Sequence, residues 1–275
     1  MPERVARRTW PVHAVLVVGA LVMVAPLVWE FLTSVKSFGE SVRVPPTILP
    51  EAWDWSNYTK VFHSIPFGEQ LLNTVLMTAG RTAGQLLLCS MAAYAFARLT
   101  FPGRDAIFML FLSVLMVPSQ LFLIPQYQIM QELGWLNSLQ ALIVPGVFSA
   151  FGTFLLRQFF LSLPKDLEEA AGLDGANPLR IYWHIMLPLA RPGLVALGIL
   201  TVLWSWNDLM WPLVVNNDPE QMTLSAGLAT LKGEHFTDYP VLMAGSLLAT
   251  LPVIVVFIVM QRRVLEGIAF TGSKG

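Results

Sequence analysis

Apolar residues gather in six long runs along the chain, at 12–33, 71–97, 106–125, 139–160, 193–215 and 241–260, with shorter polar segments between them. A helix needs roughly 20 mostly apolar residues to cross the hydrocarbon core of a bilayer. A barrel strand needs only about 9–11, with apolar and polar positions alternating. Run length and the lack of alternation therefore predict an all-α polytopic membrane protein with six transmembrane helices. The chain divides accordingly into an N-terminal segment (1–11), a first span (12–33), an outer segment (34–70), a core of five spans (71–262) and a C-terminal tail (263–275).

Arg4, Arg7 and Arg8 precede the first run, as in a signal peptide. The run is longer than a signal's, and no small-residue cleavage site follows before Lys36, so it reads as a retained span. Orientation follows from the basic residues beside the spans. With the N-terminus inside, the inner set is Arg4, Arg7, Arg8, Arg98, Arg104, Arg157, Lys165, Arg180, Arg191, Arg262, Arg263 and Lys274. The outer set is Lys36, Arg43, Lys60 and Lys232, and Arg81 lies within a span. Twelve against four predicts both termini in the cytoplasm.

Composition agrees. The chain is 55% hydrophobic and 13% charged, with mean hydropathy +0.61, whereas soluble domains carry about 25% charged residues. A net charge of −1 argues against nucleic acid, which demands a basic face. The single cysteine, Cys89, can form neither an internal disulfide nor a cysteine-rich metal site. Two outer segments exceed a turn. One, at 45–67, mixes prolines with Trp53, Trp55 and Tyr58, as suits a membrane interface. The other, at 216–240, is polar and rich in turn formers.

The segment SLPKDLEEAAGLDGANPLRIYWHIMLPLARP (162–192) stands apart, because it joins two apolar runs yet is charged, small and helical in pattern. Ser162 is a candidate cap and Pro164 suits a first turn. Asp166, Glu168 and Glu169 fall near the positive end of the helix dipole. Leu167, Ala170, Ala171 and Asp174 share one face by spacing, and Gly175 is a natural stop. A second helix starts with Asn177 as cap and Pro178 at its first position. Leu179, Tyr182, Trp183 and Met186 repeat the helical spacing, and Pro188 is expected to end it. This could be an interfacial elbow between two spans. Equally, Ala170, Ala171 and Gly175 form a small knob, with Glu169 as one directional charge, that could dock into a cleft on a cytoplasmic partner.

The order Glu169-Ala170-Ala171, three residues, Gly175, nine residues, Ile185, one residue, Leu187-Pro188 resembles the EAA loop of ABC importer permeases. The likeness extends to AAYAFARLTFPGRD (92–105), LGWLNSLQALIVP (133–145) and SWNDLMWPL (205–213). These segments are similar to the carbohydrate-uptake branch, and within it to the second of two permease subunits in maltose-type importers. The resemblance implies the type I importer permease architecture. It also implies that Glu169, Ala170, Ala171, Asp174 and Gly175 dock on a separate ATPase subunit, with Leu187 and Pro188 setting the return into the membrane. The implied complex contains this chain, a homologous permease, two ATPase copies and an extracytoplasmic solute-binding protein. ATP and Mg belong to the ATPase partners, and the chain itself has no cofactor. The family often ends in Gly-Ala-Val-Lys-Gly, from which the tail here departs, reading Gly272-Ser273-Lys274-Gly275. Glycerol 3-phosphate and its diesters are also carried within this branch.

Chemistry of its own is not evident in the chain. It has no G-x-x-x-x-G-K-[ST] loop, no H-E-x-x-H and no G-x-S-x-G. His13, His63, His184 and His235 are scattered over both sides of the membrane. An ATP-independent transporter would be expected to show an internal repeat or an ion relay, and only Asp208, Glu30 and Arg81 are available for one. Polar residues inside spans usually face the bundle or a wet cavity. Span two carries Asn73, Arg81 and Gln85 at multiples of four, with Met77 between them. Span five carries Asn207 and Asp208 beside Trp204, Trp206 and Trp211, and Gln120 lies near the outer end of span three. Arg81 and Asp208 fit an interhelical ion pair, snorkelling to the interface, or the lining of a translocation path. Trp204 and Trp206 fit the interfacial belt or a stacking face for a sugar ring. Pro118, Pro125, Pro145, Pro212 and Pro252 suit kinked helices, static or moving.

Overall fold

The computed structural model describes residues 10–233 and 236–272, without the side chains of 257 and 259–272. The arginines at 4, 7 and 8, His235 and the 273–275 tail lie outside the described residues. Among the described residues the fold is helical, with a single isolated bridge between Lys232 and Thr237. It separates into two compact units, one formed by residues up to Phe67 with Leu228–Pro252, the other by Gly68–Gly227 with residues from Val253 onward.

In the first unit, α1 (Trp10–Ser34) is a 25-residue helix whose apolar side chains stay exposed along its length, burying only Thr33 and Ser34 at its end. Such an all-round apolar surface suits lipid. Two short helices follow, α2 (Phe38–Ser41) and α3 (Ser56–Ser64). The Asn57 amide ties α3 to the end of α1 by donating to the carbonyls of Ser34 (3.0 Å) and Lys36 (2.8 Å). Trp53, Trp55 and Tyr58 stack in series, with ring centroids 6.1 Å apart at each step.

The second unit is organised by α4 (Phe67–Arg98), 32 residues and about 48 Å long at 1.5 Å per residue. Its stripe of Asn73, Met77, Arg81, Gln85, Cys89 and Ala93, spaced by four, is buried throughout. The polar stripe foreseen from spacing is thus one inward face. After it in chain order come α5 (Arg104–Ser113), α6 (Leu123–Glu132), α7 (Leu139–Ile143), α8 (Ala150–Ser162), α9 (Asp166–Leu173), α10 (Pro178–Ile181), α11 (Leu187–Leu189), α12 (Arg191–Trp206), α13 (Met210–Val215) and α14 (Leu224–Thr230). The long α15 (Tyr239–Gly272) closes the sequence of elements.

The runs expected as spans three, four and five are broken rather than continuous. In span three, Arg104–Met116 and Ser119–Glu132 meet at 98°. Pro118 is the cause: it lacks an N–H and pushes Val117 into an extended conformation (φ −93°, ψ 125°). In span four, the pieces either side of Val147–Ser149 meet at 40°, with Ser149 extended and capping α8 through Gly152 N–H. Span five stops at Trp206 and restarts at Met210. Among the described residues, α1 and Tyr239–Val256 are the two single helices both long and apolar enough to cross a membrane, and counting each bent pair (104–132, 139–162 and 178–206) as one span gives up to five. The polar stripe keeps α4 out of that set.

Candidate functional site

Two places in the second unit gather the polar groups that the sequence singled out. The first is the segment between α8 and α12. Helix α9 begins after Lys165 without a side-chain cap. Ser162 instead closes α8, its Oγ donating to the Phe159 carbonyl (2.8 Å), so the expected capping role is corrected. At the other end Gly175 takes φ +81°, its N–H donates to Gly172 O (3.0 Å) and Ala176 N–H to Ala171 O (3.0 Å). This pair of bonds is the Schellman stop. No neighbour lies within 4 Å of where a Gly175 Cβ would be; the glycine is demanded by the backbone conformation rather than by crowding within this chain.

Asn177 caps α10 as expected, accepting from Arg180 N–H (2.8 Å), and Pro178 occupies the first turn. The helix does not end at Pro188. It passes through a π-turn at Tyr182–Met186 and continues as α11 to Leu189. The wider turn lies just where the proline ring would meet the carbonyl of the preceding turn, which explains how Pro188 is accommodated. The direction changes by 76° between Leu189 and Arg191 instead.

Glu169, Ala170, Asp174, Gly175 and Pro188 are exposed, while Ala171 and Leu187 are partly buried. Ala171 and Leu187 pack with Ala176 and Ile185 on a core of Tyr94, Phe160, Tyr182, Met186 and Leu197. The single face drawn from spacing therefore needs correction, since Ala171 points inward and Leu167, Ala170 and Asp174 outward. The residue that sequence reasoning passed over is Glu168. It turns inward beside Arg98, with Nη1 to Oε2 at 3.5 Å. Burial pushes its carboxyl above the ordinary carboxylate range, against the opposing pull of Arg98, the Tyr94 hydroxyl and Lys165. Helical spacing from the inward-facing Ala171 could have found it, because 168 and 171 lie on one face. At the tip, Leu173 is 91% exposed.

The second place is a cavity of about 390 Å³ whose lining includes Arg81, Ser119, Gln120, Gln126, Gly146 and Asp208. Arg81 and Asp208 form an ion pair at 2.7 Å (Nη1 to Oδ2), and Arg81 Nε donates to Leu142 O (2.8 Å). Residues at or next to the breaks after Met116, Gly146 and Trp206 line this cavity: Ser119 and Gln120 at the first, Pro145 and Gly146 at the second, Asp208 and Met210 at the third. Irregular backbone at membrane depth is tolerated where it lines a cavity. Gly146 leaves the room that Arg81 occupies, since a Cβ there would lie 2.5 Å from Arg81 Nε.

Of the predicted path residues, Arg81, Gln120 and Asp208 come together here, and Ser119 and Gln126 join them unforeseen. The others bind their own scaffold. Asn73 donates to the carbonyls of Glu220 (2.8 Å) and Met222 (3.0 Å). Gln85 donates to Gly146 O (2.9 Å) and accepts from Thr201 Oγ1 (3.0 Å). The Asn207 amide donates to Leu203 O (2.8 Å) at the end of α12. Trp204 is half exposed, edge-on to Phe151 with centroids 5.3 Å apart.

A polar cavity walled by broken membrane helices and, elsewhere in the same unit, an exposed helical elbow fit a polytopic transport subunit. Residues 85–265 match the family of binding-protein-dependent transport system inner membrane components, and the chain belongs to that family. It is 33% identical over 264 residues to the sn-glycerol-3-phosphate transport system permease protein of Yersinia enterocolitica, covering 93% of this chain and 94% of the relative. It is 35% identical to the diacetylchitobiose uptake system permease protein of Streptomyces coelicolor (92% of this chain, 84% of the relative). The arabinooligosaccharides transport system permease protein of Halalkalibacterium halodurans is also 35% identical (98% and 99%). Among solved structures, a chain of a bacterial ABC transporter involved in alginate import superposes with TM-score 0.79 at 27% identity, over 95% of this chain and 98% of that one. The chain is accordingly a non-catalytic permease component of an ABC transport system.

Proposed function

We propose that the chain is the second permease of an ATP-driven importer of a sugar or sugar-like solute, working with a homologous permease, two ATPase subunits and an extracytoplasmic binding protein. Six spans with both termini inside fit the distribution of basic residues and put α9 in the cytoplasm. The observation that carries the coupling role is the exposed tip of α9, where Leu173 stands 91% exposed beside Glu169, Ala170, Asp174 and Gly175. An apolar residue so exposed on a rigidly stopped helix suits a groove on a partner. ATP-driven closure of the ATPase subunits would pull this helix, pivot the spans, and turn the cavity from the inner to the outer side. Hydrolysis would reset it.

The cavity supports a hydroxyl-rich, uncharged solute. Its lining holds two charged groups, Arg81 and Asp208, and they neutralise each other. The amides of Gln120 and Gln126 and the hydroxyl of Ser119 each offer donor and acceptor capacity, as sugar hydroxyls require. Glycerol 3-phosphate, the cargo named for one relative, would find no uncompensated cation there. Gly175→Asp tests the coupling role: the variant should reach the membrane but lose ATPase association or coupled uptake, and normal uptake would count against docking. Binding assays on the cognate binding protein, comparing neutral oligosaccharides with glycerol 3-phosphate, test the solute class. Purification without a co-migrating ATPase would favour an ATP-independent transporter instead.

A further inference from the structure

The joint between α9 and the spans lies at Arg98, the last residue of α4. Its Nη2 donates to the carbonyls of Phe160 (2.5 Å) and Leu163 (2.6 Å). These carbonyls lie at the end of α8 and just beyond it, where helical partners run out and a cation is favoured. Two of the guanidinium's bonds therefore bind α4 to α8. Its remaining contact, to Glu168 on α9, is a single approach of 3.5 Å. The Arg98 side chain is 4% exposed and that of Glu168 17%. The Tyr94 hydroxyl, also on α4, acts on the same carboxylate, while Arg98 Nε and Glu168 Oε1 are buried with no protein group in close hydrogen-bond geometry. Buried polar atoms are nearly always satisfied, and an exception calls for a cause such as strain or a bridging water. Here both exceptions fall on the two partners of one ion pair, at the one contact linking the docking helix to a guanidinium already fixed to two spans.

We infer that Arg98 and Glu168 are the positioning pair that carries displacement of α9 to α4 and α8 during transport. The contact is adjustable: its distance changes as α9 moves, while the Arg98 bonds to α8 hold. Glu168 thus adds an electrostatic contact between the docking helix and the span helices to the apolar packing of Ala171 and Ala176 on the same core. This rests on the reading of α9 as the ATPase-docking helix.

The test uses the complete complex in proteoliposomes, with its ATPase subunits and its binding protein as isolated. Three quantities are read: the ATPase retained on purification, the basal ATP turnover, and the stimulation of turnover by the binding protein. Stimulation requires a signal to pass through the permease from one face to the other. Glu168→Gln should retain the ATPase subunits and the basal rate, and lose stimulation by roughly two- to thirtyfold, the range over which residues between coupled sites act. Glu168→Asp, which keeps the charge, should recover part of it. Undiminished stimulation in Glu168→Gln overturns the inference, as does failure of Glu168→Asp to recover any. Loss of ATPase in proportion to stimulation also overturns it, because the pair would then serve assembly alone. If the wild-type permease holds no ATPase, the docking reading itself falls.

Discussion

Two buried arginine–carboxylate pairs sit in the same unit and differ in finish. Arg81 meets Asp208 at 2.7 Å and is anchored by Nε to Leu142 O. Arg98 meets Glu168 at 3.5 Å, with an unsatisfied atom left on each partner. The first is a closed network inside a cavity wall; the second is an open contact between α9, the helix we propose to dock, and its support. Removing one partner of a buried pair strands a charge, whereas a loose pair holds less energy and can change its length. The comparison teaches that an arginine paired with a carboxylate can fix a wall in one place and, in our proposal, transmit motion in another, and that geometry decides which.

The widest test of that contrast is stability. Asp208→Ala should destabilise the chain by about 3–5 kcal/mol by leaving Arg81 buried and uncompensated, seen as a lowered unfolding temperature in detergent, while Glu168→Ala should move it less, because Arg98 keeps the two carbonyls at the end of α8. Equal effects would erase the distinction. Next in size is Gly146→Ala, whose Cβ would lie 2.5 Å from Arg81 Nε. Overpacking of this kind costs about 1–3 kcal/mol, and pairing it with Asp208→Ala should give a non-additive result, since both act on one network. Gly175→Val forces a β-branched residue to φ +81°, a strain of about 1–2 kcal/mol. It should weaken ATPase retention more than Gly175→Asn, because asparagine tolerates that conformation better.

The smallest expected effect concerns pH. Burial raises the Glu168 pKa, with Arg98, Tyr94 and Lys165 acting against it. A carboxyl raised in the folded state contributes stability that is present below its ordinary titration range and lost as pH rises through the raised value. Glu168→Gln removes this term. The unfolding temperature of the variant relative to wild type should therefore rise as pH climbs above the ordinary glutamate range, and a falling difference would show that Arg98 more than offsets the burial.

Much of this architecture was legible in the sequence because it rests on local rules. Gly175 as a stop, Asn177 as a cap and Pro178 in a first turn follow from backbone needs, and the four-residue spacing from Asn73 to Gln85 yields one buried face. What was not legible depends on partners distant in sequence. Pro118 signalled a kink, but the 98° turn that aims Ser119 and Gln120 into the cavity is a tertiary outcome. Asn73 and Gln85 share a stripe with Arg81, yet their partners are the carbonyls of 220, 222 and 146, which fix them as scaffold. Glu168 was hidden because three acids at a helix start look alike until one of them meets Arg98.

The central claim, that the tip of α9 seats on a cytoplasmic ATPase, is tested most directly by cysteine cross-linking in native membranes. Cys89, the single native cysteine, is buried, so a Leu173→Cys variant carries little background. The account predicts a covalent adduct between position 173 and the ATPase subunit, protected from membrane-impermeant thiol reagents added outside. Modification of position 173 from the exterior, or no adduct in a complex that still transports, would contradict it.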